Sequence, residues 1–277
     1  MRKKITAQAV LLKILTYLFA LVIVFPFAWL ILTSFKHPAD ISLMPTELWP
    51  HRFSLEFYRS AFRNHHLQVY LTNSIVVSAG TMALVILVAF PAAYAFARLH
   101  FRGKELLQNG ILLASMFPLI AIVTPLFVIF RRMHLINTYW GLILPSLVLT
   151  LPLAVWTLTA FVRTLPYELE EAAQIDGCTR LASVLRVVFP LAAPGVFTTA
   201  IIAFISAWNE FMFSLLLVTK DRMRTVPVAI SMFPGEYTVP WGDMAAASVI
   251  STIPIVIVVL LCQKRIVSGL TSGAVKG

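Results

Sequence analysis

NHHLQVYLTNSIVVSAGTMALVILVAFPAAYAFA, residues 64–97, runs for thirty-four positions without an Asp, Glu, Lys or Arg. A helix rises about 1.5 Å per residue, so roughly 20 residues cross a hydrocarbon core about 30 Å thick. The stretch exceeds that length. A helix lying on a water-soluble core needs a polar face that recurs about every 3.6 residues. Val76–Ala97 has none. The segment reads as a membrane span.

The same pattern recurs along the chain. Charge-free intervals cover residues 14–35, 106–130, 133–162 and 244–263, and residues 187–219 are interrupted only by Glu210. Only 12% of the 277 residues are charged, about half the share of an ordinary globular domain. The pattern predicts an all-α polytopic membrane protein with six spans, near 14–35, 70–97, 107–130, 139–162, 193–219 and 243–263. No Ser/Gly-rich linker, repeat or soluble domain is visible, so residues 1–277 are expected to form a single membrane domain. The first span follows Arg2, Lys3 and Lys4. It is longer than the 7–15 apolar residues of a typical signal peptide and lacks a clear cleavage site, so an uncleaved anchor helix is expected.

The net charge is +10, but the basic residues are scattered between spans and form no nucleic-acid-binding stripe. With the N-terminus inside, thirteen Lys and Arg fall on the cytoplasmic side and nine outside. This bias favours cytoplasmic N- and C-termini. Cys178 and Cys262 then both face a reducing compartment, where a structural disulfide is not expected. No Cys/His spacing suggests a metal site.

Proline is frequent inside the spans, as at Pro26, Pro91, Pro118, Pro125, Pro145, Pro152 and Pro254. Each removes a backbone donor and bends a helix. Pro118 and Pro125, like Pro145 and Pro152, are seven apart and are expected to share a helix face. They are read as packing kinks or as helices shaped around a pathway.

RTLPYELEEAAQIDGCTRLASVLRVVFPLAAPG, residues 163–195, carries four of the chain's twelve acids within nine positions: Glu168, Glu170, Glu171 and Asp176. Pro166 suits a first helical turn, and the glutamates after it suit the positive end of the helix dipole. Leu169, Ala172 and Ala173 are spaced to share one side. Gly177 is placed to end the helix in the left-handed conformation. A second amphipathic piece is expected on Leu181, Val184, Leu185 and Val188, before Pro190 and Pro194. The spacing describes a short acidic surface helix, a turn and a return helix. Its alanines allow close approach, and its acids suit a basic partner in the cytoplasm.

EAAQIDG, followed by nine residues and VVFP, resembles the signature of permease subunits of bacterial ATP-binding-cassette importers: Glu-Ala-Ala, three residues, Gly, nine residues, Ile-x-Leu-Pro. Glu171, Ala172, Ala173, Gly177 and Pro190 match in register. Val187 and Phe189 stand for the usual Ile and Leu and keep apolar bulk. AYAFARLHFRGK (93–104), SAWNEFMFSL (206–215) and GLTSGAVKG (269–277) resemble the carbohydrate branch of that family, close to the maltose- and trehalose-type permeases. The resemblance covers nearly the whole chain and is weakest in the first outer loop.

The resemblance implies the type I importer permease fold, with the loop 163–192 as a cytoplasmic coupling helix that docks on a separate ATPase. Glu171 would make the polar contact, Ala172 and Ala173 would permit close approach, Gly177 would set the turn, and Glu168 and Asp176 would add acidic contacts. It further implies a second permease subunit, two ATPase subunits and an extracytoplasmic sugar-binding protein, assembled in a bacterial inner membrane. ATP and Mg would reside on the ATPase, with no cofactor on this chain. No G-x-x-x-x-G-K-[ST] phosphate loop occurs; Gly103-Lys104 is the sole Gly-Lys pair. The chain is therefore expected to be a transport subunit and not an enzyme.

An ionised carboxylate at a membrane centre costs roughly 2.5–3.5 kcal/mol on insertion scales, so Glu210 should face a cavity or a partner. With Trp208 and Asn209 it offers a stacking face and hydrogen-bonding groups suited to a sugar. Nearness to the outer interface, a structural hydrogen bond or a gate would serve Glu210 equally. A proton site in an ion-coupled secondary transporter is the alternative function. By resemblance, Phe233, Pro234, Gly235, Glu236 and Tyr237 in the loop 220–242 would touch the binding protein. Gly269, Thr271, Ser272 and Lys276 in the tail 264–277 would make a second ATPase contact. An ordinary gating loop and a frayed terminus are the plainer readings.

Overall fold

The computed structural model describes the backbone of residues 7–41, 48–235 and 239–274, and the side chains of 10–41, 48–235 and 239–262. Every regular element among them is helical. In order these are α1 (Ala7–Ser34), α2 (Pro38–Ile41), α3 (Glu56–Arg63), α4 (Leu67–Arg98), α5 (Lys104–Ser115), α6 (Leu119–Arg132), α7 (Tyr139–Thr164) and α8 (Glu168–Ile175). There follow α9 (Arg180–Ser183), a π turn at Val184–Val188, α10 (Phe189–Leu191), α11 (Ala193–Trp208), α12 (Met212–Leu217), a 3-10 turn at Asp221–Met223, α13 (Val226–Ser231) and α14 (Trp241–Ala274). The segment between the spans expected near 14–35 and 70–97 thus carries two short helices, α2 and α3.

Four helices among the described residues are long and apolar enough to cross a membrane: α1, α4, α7 and the Trp241–Cys262 part of α14. Two further spans are bent pairs, bringing the total to six if each pair is counted once. The span expected at 107–130 is broken, because α5 and α6 meet at 93°. Pro118 stands just before α6 with extended backbone. Its missing N–H and its restriction on Phe117 stop α5 from continuing. Pro118 and Pro125 therefore do not share a helix face. Pro145 and Pro152 do: both are buried along α7. The other bent pair joins Arg180–Leu191 to α11 at 75°, with Pro194 in the first turn of α11, where a missing donor is harmless. The span expected at 193–219 is also discontinuous, since α11 ends at Trp208 and α12 begins at Met212.

The chain divides into two packed units, Met1–Gln68 with Ile230–Ile253, and Val69–Ala229 with Pro254–Gly277. In the first unit, the apolar residues of α1 from Val10 to Phe27 are exposed almost throughout, a surface suited to lipid. Beyond it the chain is pinned by the Ser34 and Tyr58 hydroxyls, 2.8 Å apart, and by Phe35 against Tyr58 at 5.1 Å. Lys36 is buried, with its ammonium 5.0 Å from the Trp29 ring. Gly242 lies directly on the Phe57 ring, where any side chain would overlap it.

The second unit is organised along α7. One end of α7 packs Ala154, Val155, Leu158 and Val162 with Val85, Ala89 and Ala93 of α4 and with Ala192 and Val196. The other end packs Leu142 and Ile143 with Val77, with Val123 and Phe130 of α6, and with Phe213 and Leu217 of α12. Lipid tails are as apolar as these side chains, so close packing, and not exclusion of water, must hold such helices together. Buried hydroxyls in α7 return to the carbonyl four residues earlier, Ser146 to Leu142 at 2.8 Å and Thr159 to Val155 at 2.6 Å. That leaves no donor unpaired at those positions.

Candidate functional site

Leu165 caps α7 with extended backbone, as the residue before a proline should. Pro166 therefore lies outside α8 and not in its first turn; α8 begins at Glu168, with Glu168, Glu170 and Glu171 leading it. Gly177 follows the helix at φ +88°. The Cys178 amide donates to the Ala173 carbonyl at 2.9 Å and the Gly177 amide to Gln174 at 3.1 Å. These two bonds make the Schellman turn that a left-handed glycine permits.

The face α8 turns inward differs from the one its spacing suggests. Ala173 is buried, but Leu169 and Ala172 are exposed together with Glu168, Glu171, Asp176 and Gly177. Ile175 is 86% exposed. The second inward residue is Glu170, only 2% exposed. The stripe expected on Leu181, Val184, Leu185 and Val188 is also split. Leu181 and Leu185 point outward and Val188 inward, because the π turn at Val184–Val188 shifts the period.

Glu170 is held from α4. Arg98 Nε donates to Glu170 Oε1 at 2.7 Å, and the Tyr94 hydroxyl donates to Oε2 at 3.0 Å. Arg98 Nη2 also donates to the Leu165 carbonyl at 2.6 Å, and the guanidinium lies 5.5 Å from the Tyr167 ring. A buried carboxylate is tolerated when paired and hydrogen-bonded in this way. In the sequence Glu170 reads only as one of the acids leading the helix, and no role is assigned there to Arg98 or Tyr94. The available signal was the four-residue spacing of Tyr94 and Arg98, which puts both on one face of α4.

A second polar cluster occupies the other end of α4, roughly 30 Å away by helical rise. The Asn73 carboxamide donates to the Arg222 and Arg224 carbonyls, both at 2.9 Å, and accepts from the Tyr139 hydroxyl at 2.8 Å. Tyr70 donates to Asp221 at 2.7 Å. Asn137 Oδ1 accepts from the Thr219 and Lys220 amides at 2.8 and 2.9 Å. The separation of the two clusters matches a hydrocarbon core of about 30 Å.

Trp208, Asn209 and Glu210 lie at the break between α11 and α12, and they do not converge. Trp208 is buried and stacked on Phe204 at 5.8 Å. Asn209 is exposed, and its amide group donates to the Ile205 carbonyl at 2.8 Å. Glu210 is half-buried and accepts from the Phe213 and Ser214 amides at 2.7 and 3.1 Å. Its carboxylate thus caps α12, satisfying amides that have no partner within that helix. The groove beside α11 lies elsewhere: Thr150, Thr157, Thr199 and Ser206 are among the residues lining a cavity of about 240 Å³ between α7 and α11.

Phe233 stacks on His65 with ring centres 3.9 Å apart, and His65 Nε2 lies 3.5 Å from Asp243. Pro234 and Gly235 are exposed, while Glu236 and Tyr237 lie outside the described residues. Gly269, Thr271 and Ser272 belong to α14, which extends through Ala274, so the expected loose tail begins as helix. The side chains of those residues, and Lys276 altogether, lie outside the described residues.

Residues 86–272 match the family model of the binding-protein-dependent transport system inner membrane component. The chain belongs to this family. As a transport-system inner membrane component it is 42% identical to the trehalose/maltose transport system permease protein MalG of Thermococcus litoralis, over the full length of both chains. It is also 42% identical to the sulfoquinovosyl glycerol transport system permease protein SmoH of Agrobacterium fabrum, over 91% of this chain and 89% of that one. A chain in the crystal structure of a bacterial ABC transporter involved in the import of the acidic polysaccharide alginate has the same fold. Its TM-score is 0.80 at 19% identity, covering 95% of this inner membrane component and 98% of that chain.

Proposed function

We propose that the chain is a membrane-spanning subunit of an ATP-driven importer of a sugar or glycoside, and that α8 is the element a separate ATPase grips. The observation that carries this reading is the two-sidedness of α8. Its inner face, Glu170 and Ala173, is buried, and its outer face presents Glu168, Leu169, Glu171, Ala172, Ile175 and Asp176. An isolated helix of eight residues is marginal in water. A short helix held from behind and left apolar and acidic in front suits a soluble partner. The names of the relatives, which carry trehalose, maltose and sulfoquinovosyl glycerol, support a sugar-containing solute.

In this reading the N- and C-termini and α8 are cytoplasmic. ATP and Mg bind two ATPase subunits, and a second permease subunit completes the translocation path. An extracytoplasmic binding protein delivers the solute to the side bearing Asn73, Asn137 and the segment 219–224. Closure of the ATPase pair moves α8 and the spans attached to it, exposing the path alternately to each side. Residues 233–237 would touch the binding protein and 269–276 the ATPase. The alternative, a proton site at Glu210, is disfavoured by the use of both carboxylate oxygens as caps.

The reading is tested by co-expressing the chain with the other subunits, purifying the assembly and measuring uptake in proteoliposomes. Uptake that needs ATP and the binding protein, and is lost together with ATPase association in Glu171→Lys and Ile175→Asp, is expected. Uptake by this chain alone on a proton gradient would overturn the reading.

A further inference from the structure

We propose that Glu170, Arg98 and Tyr94 form the internal joint that passes force from α8 to α4, so that Glu170 is a positioning residue for transport and not a docking residue. The inference rests on the reading of α8 as the ATPase-gripped element. It deepens that reading by assigning the coupling inside this chain to one ion pair.

The chain joins α8 directly to α7, but α8 can move α4 only if its inner face is attached to that helix. Ala173 provides only a methyl group, and a methyl contact slides. Glu170 provides a charge that is 2% exposed and is engaged at both oxygens. Arg98 is engaged on two sides, since Nε meets Glu170 and Nη2 meets the Leu165 carbonyl that ends α7. One guanidinium therefore joins α8, the end of α7 and the end of α4. A planar fork holding two acceptors resists both sliding and rotation, which a single point contact does not. The pair is also largely shielded from water, with Arg98 9% and Glu170 2% exposed, so salt loosens it much less than a surface pair.

The longer partner is α4. It runs as one helix from Leu67 to Arg98 with Pro91 inside it, about 48 Å at 1.5 Å per residue. Its far end carries Tyr70, Asn73 and Ser74, which bind Asp221, the Arg222 and Arg224 carbonyls and the Val226 amide. A displacement of α8 applied through Arg98 would thus reach the segment 221–226 on the opposite side. Neighbouring Arg180 lies on the exposed surface beside this joint, where it hydrogen-bonds the Tyr94 hydroxyl and adds a second positive charge near Glu170.

The test uses the assembled transporter in proteoliposomes and reads three quantities: ATPase subunits bound, ATP hydrolysed and solute taken up. Glu170→Gln and Arg98→Met are expected to retain bound ATPase and ATP hydrolysis while uptake per ATP falls at least about tenfold. The double variant is expected to be no worse than either single one, because both break the same link. Tyr94→Phe, which removes one hydrogen bond and little volume, is expected to lower the ratio by about threefold. An unchanged uptake-to-ATP ratio in Glu170→Gln and Arg98→Met overturns the proposal. So does a loss of uptake that only follows lost ATPase binding, since a structural role alone would produce it. If the unaltered chain binds no ATPase, the underlying reading fails instead, so the two failures are distinguishable.

Discussion

Gly195 lies against the ring of Phe161: a methyl group on its α-carbon would stand 2.5 Å from Phe161 Cγ. The contact lets α11 approach α7 closely, and close approach is what membrane helices rely on for association. Gly195→Ala is expected to destabilise the chain by about 1–3 kcal/mol through overpacking. Adding Phe161→Leu, which vacates part of the ring's space, should recover part of that loss. Thermal unfolding in detergent measures both, and an unshifted midpoint in Gly195→Ala would count against the contact.

Asn137 adopts φ +60°, a conformation asparagine tolerates better than most residues. Its carboxamide oxygen holds the Thr219 and Lys220 amides. Asn137→Ala removes those acceptors and adds backbone strain, with an expected loss of about 1–3 kcal/mol. Limited proteolysis should then cut within residues 219–224 faster than in the unaltered chain. Equal cutting rates would show that the segment is held by Asn73 and Tyr70 alone.

Gly177 has open space where a Cβ would project, yet its φ is +88°. Any penalty of substitution there comes from the backbone and not from a clash. Gly177→Asn should therefore retain more ATPase association than Gly177→Val, because asparagine enters the left-handed region more easily and Val is strained there by more than about 1 kcal/mol. Co-purification compares them, and equal loss in the two variants would point to a side-chain clash with the partner instead.

Glu210 separates two functions by a single isosteric change. Gln keeps an oxygen able to cap α12, whereas Ala leaves the Phe213 and Ser214 amides unpaired. Glu210→Gln is expected to keep uptake within about threefold of the unaltered chain, and Glu210→Ala to lose about 1 kcal/mol of stability or more. Abolished transport in Glu210→Gln with unchanged thermal stability would restore the proton-site reading.

Much of the protein is legible in its sequence. Charge-free length marks a span because the bilayer accepts little else, and α1, α4, α7 and the Trp241–Cys262 part of α14 begin and end near the intervals read from sequence. Gly177 ends α8 as expected, since the left-handed turn is a local demand. What failed were inferences about direction. Pro118 stands between two helices instead of bending one, and the π turn at Val184–Val188 turns Val188 inward while Leu181 and Leu185 face out.

The string of residues alone determined that this chain belongs in a membrane and that an acidic helix closing on Gly177 lies between two spans, because hydrophobic length and local turn chemistry act over short stretches. Tertiary structure alone decided that Glu170 faces inward to Arg98 while its neighbour Glu171 faces out. Adjacent glutamates are chemically identical in sequence, and a guanidinium seventy-two residues away, with the Tyr94 hydroxyl on the same helix face, distinguishes them.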